Sequence, residues 1–308
     1  MVITLEFDNY EKKQFKSSCS LDDLKWSYFN VYYLLDLKHI VRSYIDNRGF
    51  KTISDLHEYC LRNDIKSQSG DEWTDRKLLE DVNCLKKVGI LHGNVCSSDT
   101  LFKNSVGKDL THEDLLVFKN IFESYERFKD FHAFFYDSNN IKSKVVYASK
   151  SNSRFFNRFF VPDSQKEYFI KDDVSYIMRF WDVYLKWGTE LGVLQKISVK
   201  TLGLSPPLSQ KDMIIVYFTE IMPSDFSILN FCQNEYGPDY VYIPQLYWMI
   251  ACKYRFDIKT MRDRLIKECL LPSSKYRLQR TSSVFVNERE AEIFPLIGNQ
   301  FMSHLLKL

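Results

Sequence analysis

Apolar residues recur every three or four positions in separate stretches of the chain, and each stretch predicts a helix. Leu24, Tyr28, Val31, Leu35 and Ile40 form the first series. It follows Ser20-Leu21-Asp22-Asp23, a helix-start pattern, and ends at Asn47-Arg48-Gly49. Ser54 to Arg62 predicts a short second helix, with Ser54 as cap and Leu56, Tyr59 and Cys60 inward. After a polar loop at Ser67-Gln68-Ser69-Gly70, Thr74 to Val88 predicts a third helix in which Leu78, Leu79, Val82 and Leu85 share a face. Its last turn carries Lys86 and Lys87 before Gly89, then Ile90-Leu91. Cations suit the negative end of a helix dipole, and a glycine there accepts left-handed backbone. The apolar pair then enters a strand.

The pattern returns twice. Val174, Ile177, Met178, Trp181, Tyr184, Leu185 and Leu191 line a helix that runs into Gly192 and the strand-like Val193 to Ile197. In the last third, Lys211 to Ile221 and Phe226 to Tyr236 read as helices. Pro244 opens another over Gln245 to Tyr254, and Asp257 caps Ile258 to Cys269, with Ile258, Met261, Leu265 and Ile266 inward. Tyr276 to Val286 alternates as a strand or hairpin does. Phe155, Phe156, Phe159 and Phe160 fall at the spacing of a core-facing helix stripe.

Helix, helix, helix, glycine and strand is an order that resembles the winged helix-turn-helix family, over about residues 20–105. The resemblance implies a mainly α fold with short β-hairpins, an α+β class. It also implies tandem winged-helix-like modules over 1–110, 111–205 and 206–308, with Pro206-Pro207 at the second boundary.

Composition narrows the chemistry. Only 10 of 308 residues are glycine. Neither Gly188-Thr189-Glu190-Leu191-Gly192 nor Gly89 to Gly93 matches a phosphate-cradling loop, so no nucleotide cofactor is expected. The richest apolar stretch, Asp212 to Ile221, is about half the ~20 residues that span a bilayer. The N-terminus has no signal-peptide pattern. Seven cysteines at wide spacings, with no Cys-x-x-Cys, read as reduced thiols in a cytoplasmic setting. Cys84, His92 and Cys96 lack the paired spacing of a zinc site, and the six histidines form no metal or catalytic pair, so no metal is expected. Pro162-Asp163 with Glu167 and Lys171 resembles a metal-dependent nuclease pattern, but the E-x-x-x-K spacing does not put both groups on one strand face. Asp172-Asp173 suits a helix start. The reading is therefore non-catalytic.

The formal charge of +2 conceals one concentration. Lys253, Arg255, Lys259, Arg262, Arg264, Lys267, Lys275, Arg277 and Arg280 face only Asp257, Asp263 and Glu268, a net +6 over 253–280. A recognition helix followed by a wing places cations in this way against duplex DNA. The alternative is a solvated helix face with pairs such as Asp263–Lys267. Residues 141–162 add Lys142, Lys144, Lys150, Arg154 and Arg158 and no acid; Lys150, Arg154 and Arg158 stand among aromatics, as in single-strand binding. Two functions follow. One is duplex DNA binding by winged-helix modules, as a regulator, an initiator or the recognition subunit of a larger complex. The other is a protein-interaction scaffold, a homodimer, or an accessory subunit of a multiprotein DNA-processing or defence machine without direct DNA reading, favoured by the near-neutral total and by Trp26, Tyr28, Tyr32, Tyr247 and Trp248 as partner-facing rings.

Overall fold

The computed structural model describes residues 2–3, 28–47, 50–92, 95–96, 109–132, 135–136, 143–150, 154–162, 166–169, 175–202, 213–237, 239–280 and 291–308. These residues form helices with small, mostly antiparallel sheets, an α+β arrangement. They gather into two units: residues 1–134, 152–158 and 167–193, and residues 135–151, 159–166 and 194–308. Neither unit coincides with 1–110, 111–205 or 206–308.

The first unit holds α1 (Leu34–Asp46), α2 (Ile53–Arg62), α3 (Asp75–Lys87), a hairpin of β2 (Leu91–His92) and β3 (Val95–Cys96), α4 (His112–Ser124), α5 (Glu126–His132) and α6 (Ser175–Glu190). A short strand, β1 (Val2–Ile3), runs parallel to β6 (Lys166–Phe169). The first helix begins at Leu34, later than the series from Leu24 predicts, because Tyr33 is extended. Phe29 sits instead among the rings of Phe180, Phe128 and Trp187, a tertiary contact that outweighs local periodicity. The cap of α2 is Thr52, not Ser54. Its hydroxyl accepts from Asp55 N at 3.1 Å while Asp55 Oδ2 accepts from Thr52 N at 2.9 Å, a reciprocal box. Leu79 does not join the buried stripe of α3 and is 47% exposed. Gly89 ends that helix at φ +79°, with Ile90 N bonded to Leu85 O at 2.9 Å, the termination the lysine–glycine sequence predicts. The aromatic core lies along α6, whose Phe180, Trp181, Tyr184 and Trp187 are fully buried. Phe128 stacks on Phe180 at 5.1 Å and Phe122 on Tyr184 at 4.9 Å.

In the second unit, β4 (Val146–Ser149) and β7 (Leu194–Ser198) flank β8 (Ile214–Phe218), both antiparallel to it. Within the expected helix at 211–221, residues 213–221 are thus not helical. Ile214 to Phe218 is a β-branched and aromatic run with every residue buried, the pattern of a central strand covered on both faces. Residues 155–160 are not a helix either. β5 (Arg158–Val161) alternates, with Phe159 and Val161 buried and Arg158 and Phe160 half-buried.

The chain then forms α7 (Ile228–Phe231), extended by a wide turn through Tyr236, and next β9 (Tyr240–Tyr242), α8 (Ile243–Tyr254) and α9 (Ile258–Cys269). β10 (Tyr276–Gln279), a small hairpin of β11 (Leu296–Ile297) and β12 (Gln300–Phe301), and β13 (His304–Lys307) complete the unit. The antiparallel sheet runs β10–β13–β9, so Tyr276 to Gln279 pairs with the C-terminal strand. Val241, Leu305, Tyr247, Ile250, Met261 and Leu265 share one core there. Pro206-Pro207, Asp172-Asp173, Asp163, Lys171, Cys19, Trp26 and residues 281–286 lie outside the described residues. Among the described residues no helix is long and apolar enough to cross a membrane, and no three ligating side chains converge on a metal position.

Candidate nucleic-acid interface

The nine cations of 253–280 divide by local chemistry. Arg255 is 7% exposed and stands in left-handed backbone at φ 62°, just past α8. A glycine usually takes that position; here the guanidinium offsets the strain. It donates to Ala251 O at 2.8 Å, to Cys252 O, and to Ser143 O at 2.9 Å, placing positive charge on the helix C-terminus. Arg255 is a structural clasp and not a surface cation, a correction to the sequence reading. Arg255→Ala is expected to cost about 2–4 kcal/mol in urea unfolding, since bonded carbonyls lose their donor while the strained backbone stays.

Three more are engaged. Lys253 Nζ lies 2.6 Å from Glu235 Oε1, and that bond holds its pKa above the ordinary lysine value. Arg262 grips Asp263 Oδ1 at 3.1 Å and Glu292 O at 2.8 Å. Arg264 donates to Ser224 O at 2.6 Å and Phe226 O at 2.9 Å. Arg262 and Arg264 thus tie α9 to neighbouring segments.

Lys259, Lys267, Lys275, Arg277 and Arg280 are exposed and make no ion pair with a described residue. Lys259 and Lys267 occupy the solvent face of α9, opposite Ile258, Met261 and Leu265. The nearest acid along the helix, Glu268, is used elsewhere. It accepts from Ile228 N at 3.2 Å, Leu229 N at 2.9 Å and the Ser227 hydroxyl at 3.1 Å, so it serves the start of α7 and does not neutralise Lys267. The expected Asp263–Lys267 pair is replaced by Asp263–Arg262.

The sheet adds rings. Register places Arg277, Leu306 and Tyr240 in one row and Gln279, His304 and Tyr242 in the next, on the face opposite Val241 and Leu305. Tyr240 is 45% exposed and stacks on His304 at 4.4 Å with 8° between planes. Burial lowers the His304 pKa, which favours a neutral ring. Sequence reasoning missed this face. Its signal was the alternation Tyr240-Val241-Tyr242, whose outward rings need a partner strand that is distant in sequence.

Lys150 and Arg158 are half-buried, and Arg154 is exposed with its guanidinium 5.8 Å from the Phe155 ring. Arg179 approaches the same ring at 5.7 Å, so that ring is occupied by the chain's own cations. Of the rings proposed to face a partner, Tyr247 is fully buried, while Tyr28, Tyr32 and Trp248 are half-buried. Comparison with protein-family models, with curated proteins and with solved structures finds no match for this chain.

Proposed function

We propose that the C-terminal module of the second unit binds nucleic acid, with duplex DNA as the favoured form and no catalytic step. The observation that carries the reading is the set of five exposed cations on α9 and around β10 that make no ion pair with a described residue. The order helix–strand–helix–helix–strand of α7 to β10, closed by β13 in a β10–β13–β9 sheet after the small β11–β12 hairpin, supports the winged-helix resemblance. In such a module a helix reads the groove while the strands meet the backbone. Phosphate contacts release counterions, so each makes affinity fall with salt.

The test is anisotropy of a labelled duplex of about 20 base pairs, titrated between 50 and 300 mM salt. Lys259→Glu/Lys267→Glu/Arg277→Glu is expected to weaken binding more than about 100-fold at 100 mM salt and to lower the log–log salt slope by about 2.7. Charge reversal at Arg262 or Arg264 is uninformative, because both hold the fold together. A flat salt response in the unmodified chain removes the reading, and tighter binding to single strands moves the contact to the Tyr240–His304 face.

A second reading, a protein-binding scaffold, draws on exposed apolar side chains in the same unit. Ile221, Leu270 and Leu271 are all exposed, and so is Leu296. Under it, Leu270→Ser/Leu271→Ser disrupts an assembly that the lysine changes leave intact, as read by sedimentation.

A further inference from the structure

A cleft of about 340 Å³ opens in the first unit between the start of α1 and α3. Three carboxylates and two cations line it. Asp36 is fully engaged: Oδ1 accepts from Gln68 N at 2.6 Å, and Oδ2 meets Lys77 Nζ at 2.7 Å. Glu80 accepts from Arg76 Nε at 3.3 Å. Asp81 is 2% exposed, and its Oδ2 has no hydrogen-bond partner among the described residues. Both lining cations are therefore paired with other carboxylates, and the buried Asp81 is left without an ion pair.

The groups around the cleft extend this imbalance. Asp36 faces it from α1; Arg76, Lys77, Glu80 and the Cys84 thiol lie on α3 with Asp81. Glu190 of α6 lies close enough to Asp36 to feel its charge, and Lys186 pairs with Glu190 at 3.8 Å. Four acids stand against three cations, so a single positive charge balances the set. A metal ion does not fit, since no three ligating side chains converge among the described residues. A guanidinium favours two coplanar acceptors, and Asp81 Oδ2 is closed to solvent, which leaves a single-point contact with the carboxyl.

We propose that this cleft binds a small aliphatic ammonium ion, whose N–H donates to the Asp81 carboxylate and whose alkyl chain lies against Val31 and the rings of Tyr32 and Tyr33. A cleft of this volume suits a short alkyl chain. Burial first, and the nearby Asp36 charge second, push the Asp81 pKa up to about 8. The empty cleft thus holds a proton on Asp81 at neutral pH. Binding exchanges that proton for the ammonium: the carboxyl O–H bond breaks, the proton leaves to solvent, and a carboxylate–ammonium pair forms. The site is independent of the nucleic-acid reading.

Calorimetric titration of the full chain with n-butylammonium chloride, and with n-butanol as the uncharged probe, tests this. The ammonium is expected to bind about 20-fold more tightly at pH 8.5 than at pH 6.5, because only the ionised fraction of Asp81 is competent, and the alcohol to give no saturable heat. Asp81→Asn is expected to weaken binding at least tenfold while keeping the circular dichroism spectrum. Asn30→Trp, at an exposed position on the rim, blocks entry and gives the same loss without touching the buried acid. No saturable heat with butylammonium, equal affinity at the two pH values, or equal affinity in Asp81→Asn and the unmodified chain overturns the proposal.

Discussion

Lys38→Met is expected to lower folding stability by about 3–5 kcal/mol in urea unfolding, because it strips a buried carboxylate of its counter-ion. Lys38 and Asp114 are 2% and 0% exposed, with Nζ 3.0 Å from Oδ2. The ammonium also donates to Asp109 O. Asp114 has a second duty: its Oδ2 accepts from Thr111 N at 2.8 Å while its own N–H donates to the Thr111 hydroxyl at 3.2 Å, capping α4. The carboxylate therefore fixes α4 to α1 and starts α4 at the same time. Methionine fills the lysine stem's volume, so the loss measures charge and hydrogen bonding and not a cavity. Lys38→Met/Asp114→Asn is expected to recover part of the deficit, since the amide remains a cap acceptor and carries no charge. A change under about 1 kcal/mol, or no recovery in the double variant, would show that the pair is not what holds α4 in place.

Lys38 and Asp81 mark the boundary of what the sequence makes legible. The helices α2, α3, α6, α8 and α9 follow from apolar spacing and capping residues, because those signals are local. Within them, Lys38 sits four residues after Leu34 and three before Val41, on the buried stripe of α1. Asp81 sits three after Leu78 and four before Leu85 on that of α3. A charged residue on an apolar stripe was thus visible. Its electrostatic neighbour was not, since Asp114, paired with Lys38, and Asp36, whose charge acts on Asp81, arrive from other elements. The strand at Ile214 to Phe218 was lost for a different reason: a short, fully apolar run has no period to separate strand from helix. The basic segment 253–280 was the reverse case. The charge count was right, but it carried no information on Glu235 or on the carbonyls that consume Lys253, Arg255, Arg262 and Arg264. Whether a cation is free is a tertiary property, so a net charge over a window overstates the surface it offers.

Asp81→Asn is expected to flatten the alkaline side of the stability profile. In the folded chain the Asp81 carboxyl is held up to about 8 by burial, with the Asp36 charge adding to it and Lys77 opposing it. In the unfolded chain it titrates near its ordinary value of about 4. Between these values the folded state holds one proton that the unfolded state has released, so stability falls as pH rises and levels off once the folded form ionises. For the unmodified chain this linkage removes about 3 kcal/mol between pH 6 and pH 9. Asparagine has no proton to lose, and the variant should keep that amount. The buried thiols Cys60 and Cys84 push in the same direction, since burial raises both, but only above the ordinary thiol pKa of about 8.5. They are present in both proteins and cancel in the difference. The acid side is governed by another group. Burial outweighs a 2.7 Å contact with Phe128 O and pulls the His132 pKa down to about 4. The unfolded chain therefore binds a proton there first as pH falls below about 6.5, and stability is lost between that value and about 4. Asp81 adds an opposing slope over the same range, because its unfolded value is about 4, so Asp81→Asn steepens this limb. Urea unfolding at half-unit intervals from pH 4 to pH 9 separates the two limbs. If the variant and the unmodified chain run parallel from pH 6 to pH 9, Asp81 is already ionised in the folded chain, and the cleft at α1 and α3 already has its counter-charge.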